Sequence, residues 1–375
     1  MIALLGGTVL GSPRAGAATR LSPPGSAGGA SEFSFSGLSC LSATNCLAVG
    51  DYANASGASV PLSEEWNGST WGSVSIHGPK YSGLDAISCP DASYCMAVGY
   101  ARYGPLAETW NGTAWSRVKS PHPAGSQSSE LLSVSCPTSS DCSAVGVYQN
   151  DSSTSLTLAE QWNGESWTLI ASPNPSGVTG SELTGVSCAH GTAQCVAVGY
   201  SFGRKGNSHT LAESWNGAAW SLVASPNDSQ GSENELLSVS CVSATDCTAV
   251  GDYTNLSADL VAVIETWNGT SWSLVPGAQP DGELVNIDCV RASMCMAVGF
   301  SSGTFTDRWN GKSWTVVPSP NQKGSSSSVL DGVSCAKRRS CDAVGYDTGK
   351  ASDTTYTLAE TWNGSAWSLV PSPNH

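Results

Sequence analysis

The sequence predicts an all-β chain: a seven-bladed β-propeller of four-stranded antiparallel blades, with one disulfide per blade. Three observations carry this. The motif Trp-Asn-Gly-x-x-Trp occurs seven times, beginning at Trp66, Trp110, Trp162, Trp215, Trp267, Trp309 and Trp362. Upstream of every copy stands a cysteine pair, followed after one residue by Ala-Val-Gly, as in Cys142-Ser143-Ala144-Val145-Gly146. Successive copies lie 42 to 53 residues apart, the period of a propeller blade. Together the motifs use all 14 tryptophans and all 14 cysteines of the chain.

Each unit divides into four strand-like pieces bounded by Gly, Pro, Asn or Ser. In the third unit they are 131–136, 142–148, 157–162 and 167–172. The units span approximately 32–78, 82–121, 129–174, 181–227, 234–277, 283–321 and 328–375. A ring of such blades buries their faces on one another and leaves only short edges. A linear β-solenoid is the alternative, but its parallel coils have no use for Asn-Gly hairpin turns. Only 12% of residues are charged and 41 are Gly, which suits short strands and tight turns, and no capped helix-period stretch is evident. Residues 1–31 read as a truncated secretion signal and flexible leader: Ile2 to Leu10 is apolar, and Ala15-Gly16-Ala17 offers a cleavage site. Nothing later resembles a membrane span.

The Asn-Gly turn is expected to be a two-residue type I′ hairpin, with both residues at positive φ. That register would set Glu64 opposite Trp71, Trp66 opposite Ser69, and the indoles diagonally. An acid recurs two places before each first tryptophan: Glu64, Glu108, Glu160, Glu213, Glu265, Asp307 and Glu360. Sevenfold recurrence favours a structural acceptor for indole and backbone N–H groups over a sevenfold ligand site.

The cysteines pair locally as Cys40/Cys46, Cys89/Cys95, Cys136/Cys142, Cys188/Cys195, Cys241/Cys247, Cys289/Cys295 and Cys335/Cys341. Their spacing lacks the short gaps of structural zinc and the C-x-x-C of redox catalysis. It fits a staple across the turn between first and second strands, each worth about 2.4 kcal/mol in the chain-entropy model. Bonded cysteines imply an oxidising, extracellular setting, with no metal or cofactor expected. The fourth pair carries one extra residue, so its turn should be wider.

These cysteine, Ala-Val-Gly and Gly-x-x-Trp elements resemble bacterial propellers built from Asp-box repeats, including sialidase-type proteins and the photosystem II stability and assembly factor family. The resemblance covers residues 35–375. Gly68 and Trp71 stand where the box has its Gly and Trp; Trp66 replaces its Asp, and Glu64 its Ser or Thr. Sialidase-like chemistry, which the resemblance raises, would need three arginines converging on a carboxylate. Arg102, Arg117, Arg204, Arg291, Arg308, Arg338 and Arg339 do not occupy three equivalent positions. No catalytic residues are assigned. The reading is a secreted, monomeric, non-catalytic propeller that binds a glycan or an extracellular protein, with a glycosidase- or lyase-like enzyme as the alternative.

A net charge of −14 opposes nucleic-acid binding. The basic run Lys337-Arg338-Arg339 is expected to be a solvated turn. Turn parity places the Cys and Asn-Gly turns on one face and the variable connections on the other. On that variable-loop face the candidate ligand-binding residues are Arg102 and Tyr103 in the second unit and Phe202, Arg204 and His209 in the fourth, with Lys205 beside them.

Overall fold

The computed structural model describes residues 31–204, 206–229, 231–275, 280–350 and 354–373. The secretion signal and nearly all of the leader expected at the N-terminus lie outside these residues, as does Lys205.

Twenty-eight strands form seven four-stranded antiparallel sheets, each in simple first-to-fourth order, and no helix occurs among the described residues. In the third blade the strands are Ser128–Thr138, Asp141–Gln149, Ser155–Trp162 and Trp167–Ile170. The inner strands therefore run longer than the sequence suggested, and the outermost one shorter. First strands of neighbouring blades touch all the way round the ring, blade 7 against blade 1 included. Every blade is contiguous in sequence, so the ring closes without a strand shared between its ends.

Each blade is organised on one straight row across its strands. The second cysteine lies opposite the first tryptophan, and the first tryptophan opposite the second, as in Cys142↔Trp162↔Trp167. The disulfide adds the first cysteine to the row. All seven bridges form within a blade as the spacing predicts: Cys40–Cys46, Cys89–Cys95, Cys136–Cys142, Cys188–Cys195, Cys241–Cys247, Cys289–Cys295 and Cys335–Cys341, with Cα atoms 3.9–4.1 Å apart.

In four of the seven pairs the two cysteines are not equally buried, which the sequence did not reveal. The second ones, Cys46, Cys95, Cys142, Cys195, Cys247, Cys295 and Cys341, are buried in every blade. Each packs with its tryptophan in a hydrophobic cluster, so these residues belong to the core and present no surface to a ligand. The cause is the row itself: the strand that carries the second cysteine is flanked on both sides, by the first strand and by the tryptophan strand. Cys40, Cys89, Cys241 and Cys289, on the first strand, stay only half-buried.

The paired indoles sit with ring centres 5.5–5.8 Å apart and tilted by 38–51°, a favourable packing for aromatic faces. In the fourth blade, Ala189 N–H donates to the Gln194 carbonyl, closing the wider Cys turn that its extra residue requires.

This row corrects the expected turn. Asn67 accepts the N–H groups of Ser69 and Thr70 on its Oδ1, at 2.9 and 3.0 Å, and its counterparts do likewise. Only the glycine takes the left-handed backbone, with φ of +90° to +97° across the seven turns. The loop thus holds four residues, Trp66 faces Trp71 directly, and Glu64 faces Ser73. In all seven turns the asparagine caps two N–H groups with its side chain and keeps out of positive φ.

The Ala-Val-Gly triplet has an equally local cause. The first strand bulges where it passes this glycine, for example between Val145 and Gly146 in the third blade. A Cβ on Gly146 would overlap the Glu130 carbonyl oxygen, and the other six glycines meet the same obstruction. The preceding Ala144 and Val145 are wholly buried, one towards each neighbouring blade.

Gly146→Ala is therefore expected to destabilise the fold by about 2–4 kcal/mol, since backbone rather than a flexible side chain must yield. Chemical denaturation measures this. A variant within about 0.5 kcal/mol of the parent would show that the bulge adapts freely.

Candidate functional site

Functional residues must be separated from the polar groups that hold the ring together. The seven repeated acids belong to the second set. They point into the seams between blades and are all buried, Glu64, Glu213 and Glu265 completely. Five accept the hydroxyl of a serine that follows the fourth strand of the preceding blade: Ser120 to Glu160, Ser172 to Glu213, Ser225 to Glu265, Ser319 to Glu360, and Ser372 to Glu64. The last of these, at 3.0 Å, joins the end of the described chain to blade 1.

The two exceptions follow from sequence. Blade 1 has Ile76, and blade 5 has Gly277, where the other blades have this serine. The next blade compensates each time. Arg117 lies directly across from Glu108, where most blades place leucine or valine. Asp307, one carbon shorter than glutamate, turns back to accept its neighbour Arg308 N–H at 2.9 Å. The expected indole-to-carboxylate bonds are not what forms. Trp66, Trp162, Trp267 and Trp309 donate instead to carbonyls of their own Cys turns.

A second, inner ring of seam bonds was not anticipated. The N–H of each first cysteine donates to the residue before the first cysteine of the preceding blade. Cys89 bonds Ser39, Cys136 bonds Ser88, Cys188 bonds Ser135, Cys241 bonds Ser187, Cys289 bonds Ser240, Cys335 bonds Asp288, and Cys40 bonds Ser334, at 2.6–3.1 Å. Its sequence signal is the Ser-Cys dipeptide, present in six of seven units. The repeated Ser-Pro-Asn at 172–174, 225–227 and 319–321 was a further missed signal. Its serine crosses the seam, and its asparagine caps the third strand of its own blade, through Thr157, Thr210 and Thr304 N–H.

The variable-loop face carries the candidate ligand site. Arg102 and Tyr103 form the tip of the tight turn between Tyr94–Ala101 and Gly104–Trp110. The structure adds Tyr81 from the crossover leading into blade 2. The Arg102 guanidinium lies 5.4 Å from the centre of the Tyr81 ring and 5.5 Å from that of Tyr103. Tyr103 is 81% exposed and Tyr81 50%, so both rings face solvent although one cation spans them. Tyr81 also holds a positive φ of 62°, unusual for a bulky residue and consistent with a position fixed by its Ser59 backbone contact.

The fourth-blade residues do not form a matching group. Phe202 is half-buried edge-on against Tyr200, His209 shares a hydrogen bond with Asn207 at 3.0 Å, and Arg204 is exposed at its loop tip. The concavities among the described residues include a polar cavity of about 240 Å³ on the axis, lined by first-strand residues such as Ser36, Thr184 and Asn286, and a shallow groove of about 510 Å³ beside Tyr356 and Lys323 in blade 7. Neither gathers a catalytic group with the exposed aromatic pair.

No protein-family model matches this sequence, and no curated protein matches it. Solved structures do share its fold. YCF48 from Cyanidioschyzon merolae superposes with a TM-score of 0.55 at 13% identity, over 87% of this chain and 96% of that one. U3-55K gives 0.56 at 9% identity, over 86% and 94%. The Hadza microbial sialidase Hz136 gives 0.49 at 8% identity, over 80% and 73%. At such identities the likeness is one of fold alone.

The seam acids make stability depend on pH. Burial pushes Glu64, Glu160 and Glu265 up to about 8, and Glu108, Glu213 and Glu360 to about 7, against partial lowering by the serine hydroxyls or, for Glu108, by Arg117. A carboxyl raised on folding contributes stability fully below its unfolded value near 4.5 and loses it as pH rises through 7–8. Thermal stability should therefore be greatest in mild acid and fall towards about pH 9. Glu160→Gln, a permanently neutral mimic, should lessen that fall, whereas Glu160→Ala should cost about 1–3 kcal/mol by stranding Ser120. Melting curves from about pH 5 to 9 check both; an alkaline side as stable as the acid side would contradict the assignment.

Proposed function

We propose that this protein is a secreted, non-catalytic binding propeller that engages a glycan or an exposed segment of an extracellular protein at Tyr81, Arg102 and Tyr103. The observation that carries the reading is a guanidinium held between two solvent-facing phenol rings on the loop face of a rigid scaffold. Folding normally buries aromatic surface of this size, so two exposed rings organised by one cation form a ready contact surface. Stacking on a sugar ring or a side chain uses the rings, while guanidinium N–H groups supply directed hydrogen bonds to hydroxyl or carboxylate oxygens. Arg204 and His209 remain a secondary contact region on the same face. Seven bridges joining every cysteine of the described chain support an oxidising compartment.

The test is an array of neutral and acidic glycans, followed by the same array with Arg102→Ser/Tyr103→Ser and with Tyr81→Ser. Each change alters exposed side chains only, so melting temperature should hold. Binding should weaken about ten-fold or more for the double variant, and measurably for Tyr81→Ser. Undiminished binding of any array ligand by both variants would place the site elsewhere.

A further inference from the structure

The opposite face carries a second surface, created when the ring brings blades 6 and 7 side by side. The Cys turn of blade 6 ends its first strand on Arg291, and its Asn-Gly turn carries Lys312; the Cys turn of blade 7 carries Lys337, Arg338 and Arg339. All five are exposed. Within each blade the two turns touch. Trp309 Nε1 donates to the Ala292 carbonyl at 2.9 Å, and a Cβ on Gly364 would lie 2.8–3.1 Å from the Arg339 stem. Between the blades, the Arg308 guanidinium sits 6.0 Å from the Trp362 ring, and Cys335 N–H bonds Asp288. The five cations thus share one continuous, stapled edge.

Acids of the same two blades do not cancel them. Asp307, Asp342 and Glu360 are buried, and none of the five cations forms an ion pair among the described residues. The contrast with the rest of the ring is sharp, because neither 120–203 nor 206–290 contains any Lys or Arg. A chain of net charge −14 has concentrated positive charge on the end of two adjacent blades.

We propose that this edge is a docking surface for an acidic polysaccharide, separate from the loop-face site. Guanidinium forks pair with carboxylates in two-point geometry, and the Arg339 stem lies against the Asn-Gly turn of its own blade. Among the described residues this edge has no exposed aromatic anchor, so it fits repeated charges along a flexible polymer better than a shape-specific protein partner. It also lacks the exposed aromatic belt that inserts into a lipid interface. The acidic remainder of the ring repels a long duplex that a footprint on two blades cannot hold.

The experiment measures binding of the purified protein to immobilised polygalacturonate, with uncharged dextran as blank, at about 50 mM salt where exposed charges are weakly screened. The expected result is saturable binding that weakens as salt rises. Arg338→Ser/Arg339→Ser and Arg291→Ser/Lys312→Ser should each reduce it about three- to ten-fold. Lys119→Ser/Lys350→Ser, which removes two charges elsewhere, should leave it unchanged. Absence of polygalacturonate binding, equal loss from the Lys119/Lys350 variant, or tighter binding to duplex DNA or anionic phospholipid vesicles would overturn the proposal.

Discussion

A closed ring of contiguous blades has to be held together at its seams, because no strand passes from one end of the chain to the other. Hydrophobic contact supplies most of the attraction; Phe33 and Phe35 of blade 1, for example, cluster with Val344 and Ala359 of blade 7. Such contact is non-directional and does not by itself fix how one sheet slides against the next. Direction comes from hydrogen bonds repeated at nearly every seam, from serine to glutamate near the tryptophan row and from cysteine N–H to serine nearer the axis. Because the seventh seam uses the same groups as the others, Ser372 to Glu64 and Cys40 to Ser334, closure requires no special device.

The acid at the seam illustrates how magnitude decides between readings. A carboxyl with a strongly raised pKa is often a catalytic group. Here the shift arises from burial between blades, and it recurs around the ring. A buried carboxyl that accepts one hydroxyl is less costly neutral than charged, and neutrality follows from its surroundings. Arg117 supports the same view, since it appears opposite Glu108 in the one blade whose predecessor offers Ile76 instead of serine.

Fold class, blade count and disulfide pairing were all legible in the sequence because each rests on a local pattern repeated seven times. The burial of the second cysteine in every pair, against half-burial of the first in four of them, was not, because it depends on which strand is flanked on both sides. The turn was misread because Asn-Gly alone does not distinguish a backbone that enters positive φ at both residues from a side chain that caps two N–H groups. The inner seam ring was hidden for another reason. Ser39 and Cys89 are 50 residues apart, and only the ring brings them together. The loop-face candidates were half legible: Arg102 and Tyr103 adjoin in sequence, but Tyr81 reaches them through a crossover. Blade 4, with the same residue types, spends its phenylalanine on packing against Tyr200. Lys337 to Arg339 read as an isolated turn, because Arg291 and Lys312 become its neighbours only across a seam.

Division of labour between the two faces follows from the same seams. One face is short, stapled and regular because its turns cap the cysteine–tryptophan row. The other varies because its connections lie beyond the bulge and outside both hydrogen-bond rings. The most direct test of the account is a double-mutant cycle on the closing pair, Ser372→Ala and Glu64→Ala, singly and together, by equilibrium denaturation near pH 6. The account predicts a coupling of about 1–2 kcal/mol, as for a buried side-chain hydrogen bond whose loss strands its partner. Energies additive within about 0.3 kcal/mol would show that the ring closes by apolar packing alone and would contradict it.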